Sequence, residues 1–298
     1  MRQVLPGRAR PLERRRRVIQ WLIAVGANLN LPGFFTGQIY QGASKSVCVP
    51  FLNCYSCPGA LGACPVGTLQ SFAVNRAVPW YAFGTVMAAG GLAGRAICGW
   101  LCPFGLLQEL AHRGRCAVRP IPVLLTRLKY AIMIGMLPAA AWIVGAGGFG
   151  TTYFCAYICP AGTFEAGIPL LLANASLRSL VGWVFSWKIG ILVVLGAAAI
   201  AYYRPFCRTL CPLGAFYGLF NRVALLRLRF AEPLCTHCNA CSAVCPVGLD
   251  VPAMPNSPDC ILCMRCTQVC PTGALRFGLH ETAVATTCAA SAEEVKLG

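Results

Sequence analysis

Charge is what this chain has least of. Only 11% of its 298 residues are Asp, Glu, Lys or Arg, against roughly 25% in an ordinary soluble domain. Acidic residues number nine and histidines three, and no acid–base pair or nucleophile constellation stands out among them. So few charges exclude one water-soluble domain of this length, and the scarcity of polar residues excludes a disordered chain. Hydrophobic residues make up 57%, and the mean hydropathy is +0.63. The twenty cysteines sit in a chain too long and too apolar for a small secreted disulfide scaffold. A membrane protein that uses cysteine heavily remains. Its net charge of +16 fits either nucleic acid or the positive-inside bias of a membrane protein.

Four apolar stretches carry few charges or none: 18–35, 78–94, 130–149 and 180–203. A spanning helix needs roughly 17–25 apolar residues, so the sequence predicts a mainly α-helical multi-pass protein with about four spans. The first stretch reads as a retained signal anchor, since no small-x-small cleavage site follows it. The basic residues then sort by side. Seven precede the first span, six lie at or between spans two and three, and eight follow span four. Only Lys45, Arg76, Arg178 and Lys188 fall elsewhere. Both termini are expected in the cytoplasm, at the inner membrane of a prokaryote, with membrane lipid as a partner and no nucleic acid. The expected segments are a basic N-terminus at 1–17, a membrane domain at 18–229, a cluster-bearing domain at 230–280 and a tail at 281–298.

Cysteine spacing is the strongest signal. Cys235, Cys238, Cys241 and Cys245-Pro246 are followed by Cys260, Cys263, Cys266 and Cys270-Pro271, which is C-x2-C-x2-C-x3-C-P twice. Structural zinc sites pair cysteines as C-x2–4-C and have no need of the third cysteine or the Cys-Pro. His237 reads as a loop residue. A second repeat, C-x3-C-P-x-G, occurs at Cys98/Cys102, Cys155/Cys159 and Cys207/Cys211, each just past a span. Each pair puts two thiolates about one helical turn apart, half of a four-thiolate shell. Sidedness lets Cys98, Cys102, Cys207 and Cys211 meet on the cytoplasmic side. Cys155 and Cys159 have Cys48, Cys54, Cys57 and Cys64 as outer-side partners. Cys57 and Cys64 both precede Pro, and Cys64 begins a broken copy of the repeat with Ala60 at the upstream position. They are the favoured pair, with Cys54 as rival. A disulfide is the alternative for Cys48 and Cys54. Cys116 and Cys288 read as small buried hydrophobes. Glu109 and Glu165 follow Cys-Pro motifs and read as solvated interface carboxylates, or else as groups that take up quinol protons. Gln70 and Gln108 occupy the position matching Glu165.

The tail resembles ferredoxins with two [4Fe-4S] clusters, in which the fourth cysteine of each run serves the other cluster. That resemblance implies one cluster on Cys235, Cys238, Cys241 and Cys270, and a second on Cys260, Cys263, Cys266 and Cys245. It makes the C-terminal unit a small α+β ferredoxin-like cytoplasmic domain. From residue 28 onward the chain resembles the polyferredoxin-type membrane proteins typified by the NapH and NosR electron-transfer components. The residues that carry this are 95–108, 155–162, 207–214 and the ferredoxin tail. The third intact pair and the 54–64 loop exceed the simplest NapH pattern, which leaves the pathway open. The resemblance implies an electron-transfer subunit, such as a quinol dehydrogenase component, and not a stand-alone catalyst. Electrons would pass between a quinol or cytoplasmic donor and an extracytoplasmic flavoprotein or reductase. A redox sensor or a metallocentre-assembly protein is the alternative. Four quartets predict about sixteen irons per chain, at four per cluster. Iron and acid-labile sulfide analysis of anaerobically purified protein checks this, and about eight irons would confine the clusters to the tail.

Overall fold

The computed structural model describes residues 10–112, 121–142, 150–179 and 181–279. Cys116, Cys288 and the tail at 281–298 lie outside the described residues, as do parts of the 1–17 and 130–149 segments.

The described chain is mostly helical. Helix α1 (Arg10–Ala27) starts inside the basic run. It stops eight residues before the expected end of span one. Asn28 turns its side chain back onto the Ala24 carbonyl, and Pro32, lacking an N–H, can only begin the short α2 (Pro32–Thr36). Next come α3 (Pro65–Val74), α4 (Trp80–Ala93), α5 (Ala96–Trp100), α6 (Pro103–His112) and α7 (Val123–Trp142). Two π-helical turns, Phe154–Ile158 and Gly162–Gly167, flank Cys159. The short α8 (Ile168–Ala173) and α9 (Ala175–Arg178) precede α10 (Trp183–Ala201). Then follow α11 (Pro205–Thr209), α12 (Pro212–Phe220), α13 (Ala240–Ala243) and α14 (Arg265–Val269). Among the described residues, α10 is the one helix long and apolar enough to cross a membrane by length and composition. The 14 residues of α4 rise only about 21 Å. Large apolar side chains stay exposed on several helices, including Leu22, Leu124, Ile134 and Val194.

The only sheet among the described residues pairs β1 (Leu226–Phe230) with β2 (Leu275–Leu279), antiparallel, with Leu228 opposite Phe277. It closes the ferredoxin-like unit from residue 226, four residues before the expected boundary. That unit rests on α5. Trp100 donates to the Leu262 carbonyl at 3.0 Å, and Asn221 donates to the carbonyls of Ser257 and Cys260. A Cβ on Gly99 would lie 2.1 Å from the Ile261 carbonyl oxygen, so only glycine lets the backbones meet there.

A buried ion network ties the ends of the chain together. Glu109 is buried, not solvated as the sequence suggests, and accepts from Arg16 at 2.6 and 2.9 Å and from Arg204 at 2.8 Å. Tyr203 donates to it as well. Arg16 also binds Glu13, which accepts from Arg265 of the ferredoxin-like unit at 3.0 and 3.1 Å. Burial alone would raise the Glu13 pKa, but the hydrogen bonds from Arg16 and Arg265 outweigh it and hold the carboxyl well below its ordinary range. Arg16 and Arg204 share Glu109, and all three side chains are buried. A Glu109→Gln substitution should therefore destabilise the fold by about 3–5 kcal/mol. Comparison of apparent Tm in detergent at equal iron content checks this.

Candidate metal centres

The four Cys-Pro-x-Gly segments at Cys64, Cys102, Cys159 and Cys211 build the same local structure. Proline begins the helix, where a missing N–H costs nothing, and holds the preceding cysteine extended. The cysteine then stands at the cap of the helix, as Cys64 and Cys211 do. Its sulfur faces the N–H of the glycine three residues on, an arrangement shared by Cys64 and Gly67, Cys102 and Gly105, Cys159 and Gly162, and Cys211 and Gly214. At Gly214 the glycine is needed for space: a Cβ there would lie 2.7 Å from the Cys207 carbonyl oxygen.

Cys98, Cys102, Cys207 and Cys211 come together: Cys102 and Cys211 both have Cys98 and Cys207 as neighbouring thiols. Arg95 donates to the Cys207 carbonyl at 2.9 Å, and Arg204 donates to the Cys98 carbonyl. Each arginine lies three residues before the first cysteine of its own pair. The exchange fastens α5 to α11.

At the second quartet the structure departs from the favoured pair. Cys54, not Cys57, joins Cys64, Cys155 and Cys159. Cys155 has Cys64 and Cys54 as charged neighbours, and Cys54 has Cys159 and Cys64. A Cβ at Gly162 would lie 3.8 Å from Cys54 Sγ. The Cys57 thiol turns instead towards Asn28 Oδ1, at 3.6 Å, with Glu165 and Lys45 as its charged neighbours. Preceding a proline was a misleading cue, because no helix starts at Pro58. Cys48 is buried, with Cys64 as its charged neighbour. All eighteen described cysteines are free, Cys48 and Cys54 included. Glu165 accepts from the Cys54 backbone N–H at 2.7 Å, and burial pushes its carboxyl up to about 7 against that hydrogen bond.

In the ferredoxin-like unit one cavity is lined by Cys245, Cys260, Cys263 and Cys266, and another by Cys235, Cys238, Cys241 and Cys270. His237, Asn239, Leu262 and Met264 all adopt positive φ, between 49° and 60°, at matching places around the second cysteine of each run. Such backbone costs about 1–3 kcal/mol per non-glycine residue. Alternating it with right-handed residues turns successive N–H groups inward, a cradle for an anionic centre. His237 is exposed on its loop, as expected.

These features fit [4Fe-4S] clusters. Four thiols stand at each site, and the N–H groups suit thiolates and sulfide. Burial pushes the Cys155 and Cys260 thiols up to about 12, so a cationic core is required to hold them as thiolates. Arg208 is buried with Nε and Nη1 unpartnered, and its neighbours include Cys245 and Asp259. An anionic cluster on Cys245 would supply the missing counter-charge. Among the described residues no three His, Cys, Asp or Glu converge on a single-ion position; a cubane spreads its ligands over its corners and sets a wider spacing. A Cys54→Ser substitution should cost about four irons per chain, and Cys57→Ser none. Iron analysis of the two purified variants checks this.

Comparison with known proteins agrees with the geometry. The 4Fe-4S binding domain family matches residues 77–121, 131–172 and 183–231, and a second family of that description matches 256–276. The methylamine utilization ferredoxin-type protein MauN of Paracoccus denitrificans is 30% identical over 158 residues, 52% of this chain and 49% of that protein. The protein NirI of the same organism is 32% identical over 165 residues, 52% of this chain and 22% of its own length. The ferredoxin-type protein NapH of Escherichia coli is 26% identical over 191 residues, 61% of this chain and 59% of that protein. The match spans about half the length of curated relatives such as MauN. No solved structure matches. The matched domains, the relatives and the paired cysteine motifs together make this chain a member of the NapH-like polyferredoxin family of iron–sulfur proteins.

Proposed function

We propose that the chain is a multi-pass inner-membrane electron conduit, with both termini cytoplasmic and four cysteine quartets holding [4Fe-4S] clusters in series. One observation carries this reading: every neighbouring pair of quartets is joined by direct contacts or shares one core. The two quartets of the ferredoxin-like unit share one core, into which Ala96 of α5 packs. Arg95 bridges that unit to the embedded quartets, donating to Pro258 in one direction and Cys207 in the other. Both embedded quartets, Cys54 apart, belong to a second continuous core. Segment 50–54 runs between them. Tyr217 donates to the Pro50 carbonyl at 2.6 Å, and Cys102 Sγ lies 3.9 Å from the Leu52 carbonyl oxygen. Two residues on is Cys54. A hydrocarbon core about 30 Å thick demands such an approach of inner and outer sites. The exposed apolar side chains and the one-sided basic residues support the embedding.

Bound clusters supply one-electron redox chemistry. The chain's own residues hold the sites, bridge them and exclude water. An extracytoplasmic flavoprotein or reductase and a cytoplasmic donor are the partner classes this arrangement suits. A quinol is the second donor class, supported by a cavity of about 550 Å³ beside the outer quartet. Its lining includes Lys45, Cys48, Tyr55, Gly67, Ser71 and Trp80, aromatic and apolar with a few polar groups, as ligand sites commonly are.

Dithionite-reduced protein should be reoxidised rapidly by a water-soluble quinone. A Ser71→Trp substitution, which fills the cavity, should slow that reaction about tenfold, equivalent to ~1.4 kcal/mol. It should leave reoxidation by ferricyanide unchanged. Stopped-flow absorbance of the clusters follows both. An unchanged quinone rate would remove the cavity from the reading, and no reoxidation by either oxidant would overturn the conduit.

A further inference from the structure

Gln70 and Gln108 each stand six residues after the cysteine of a Cys-Pro-x-Gly segment, and both are buried. Their side chains make the same three contacts. Gln108 Nε2 donates to Cys207 Sγ at 3.0 Å and to the Phe104 carbonyl at 3.3 Å, and its Oε1 accepts from the Phe206 N–H at 3.1 Å. Gln70 Nε2 donates to Cys155 Sγ at 3.2 Å and to the Val66 carbonyl at 3.3 Å, and its Oε1 accepts from the Phe154 N–H at 2.9 Å. In both cases the sulfur belongs to the first cysteine of the opposite pair, and the N–H to the residue before it.

A structural role alone would need only the carbonyl and the N–H. The remaining amide proton is aimed at a sulfur ligand in a dry core, where a donor on a charged acceptor is strong. Reduction adds negative charge to the cluster and its sulfurs, so this donor stabilises the reduced form more than the oxidised one. Hydrogen bonds to sulfur are among the factors that set cluster potentials. We propose that Gln70 and Gln108 are matched potential-setting residues. Gln108 raises the reduction potential of the Cys98/Cys102/Cys207/Cys211 site, and Gln70 that of the Cys54/Cys64/Cys155/Cys159 site. Each reaches from its own helix to the opposite cysteine pair of the same site, so each also locks the two halves of a quartet in register. This inference rests on the conduit reading, since it needs clusters at both embedded sites.

The test is potentiometric titration, followed by electron paramagnetic resonance, of wild type and of Gln70→Met and Gln108→Met, which keep length and remove the donor. Iron content is measured first. About sixteen irons in wild type, four per cluster, keeps the conduit reading; about eight overturns it and this inference together. At full iron content, Gln108→Met should lower the midpoint of one embedded cluster, and Gln70→Met that of the other, with the tail clusters unmoved. A second readout needs no variant. Wild type labelled with 15N at glutamine side chains should show nitrogen coupling to the reduced embedded clusters. Unchanged midpoints in fully loaded variants would overturn the proposal, as would absent coupling in wild type.

Discussion

Arg95 and Arg204 stand three residues before the first cysteine of their pairs, and each donates to the carbonyl of the other pair's first cysteine. The inner site depends on this exchange. The α5 and α11 helices are five residues long, too short to be stable alone, and they are separated by more than a hundred residues of chain. Crossing the two guanidiniums fixes their relative register and satisfies carbonyls that a short helix leaves orphaned. It also places two permanent positive charges beside four thiolates. Arg95 then extends the same fastening to Pro258 and Asp259 of the ferredoxin-like unit. One side chain thereby sets the inner quartet and its separation from the next.

Such buried cations need anions when no cluster faces them. Glu109 supplies one, shared by Arg16 and Arg204. A pair buried this deeply contributes little net stability over an apolar replacement, yet removal of one member is expensive. The physical gain lies in placement. Arg16 comes from the first helix, Glu109 from α6 and Arg204 from the start of α11, and Glu13 carries the connection on to Arg265. Helix α1 thus joins α5 and α6, beside the Cys98/Cys102/Cys207/Cys211 site, to the ferredoxin-like unit.

The tail cysteine sets were legible because they are local: six of the eight cysteines lie within two seven-residue runs, and the crossed fourth ligands are what the resemblance to two-cluster ferredoxins implies. The grouping of Cys98, Cys102, Cys207 and Cys211 was legible from the repeat. Cys54 was not, because its selection depends on Glu165 catching its backbone N–H from 111 residues away. Glu109 misled for the same reason. Its partners Arg16 and Arg204 lie 93 and 95 residues distant, and spacing alone gives an isolated carboxylate after a Cys-Pro motif. Gln70 and Gln108 did carry a signal, an identical offset from Cys-Pro-x-Gly, but its meaning appears only when the opposite cysteine is in place. The basic residues were read as a topology map; Arg16, Arg95, Arg204 and Lys129 are buried, and Arg95 and Arg204 bond the cysteine pairs themselves.

The exceptions to that map complete the comparison of the two embedded sites. Lys45 lies between the first two apolar stretches, and Lys188 lies within α10. Lys45 donates to the Ala60 carbonyl at 2.8 Å, and Lys188 donates to the Cys155 carbonyl at 3.1 Å. Ala60 occupies the position of Cys98 in the broken copy, so these two lysines do at the outer site what Arg204 and Arg95 do at the inner one. The glutamines correspond in the same way. Glu165 and Tyr217, also six residues past their Cys-Pro, both hold segment 50–54. The outer site is therefore the inner site with one ligand moved. Losing the cysteine at position 60 leaves the frame of cation, amide and cap intact. Cys54, carried in by the segment that touches Cys102, takes up the vacant corner. The displaced ligand thereby lies on the stretch of backbone that runs towards the inner site, which is where a connection between the two embedded sites has to run.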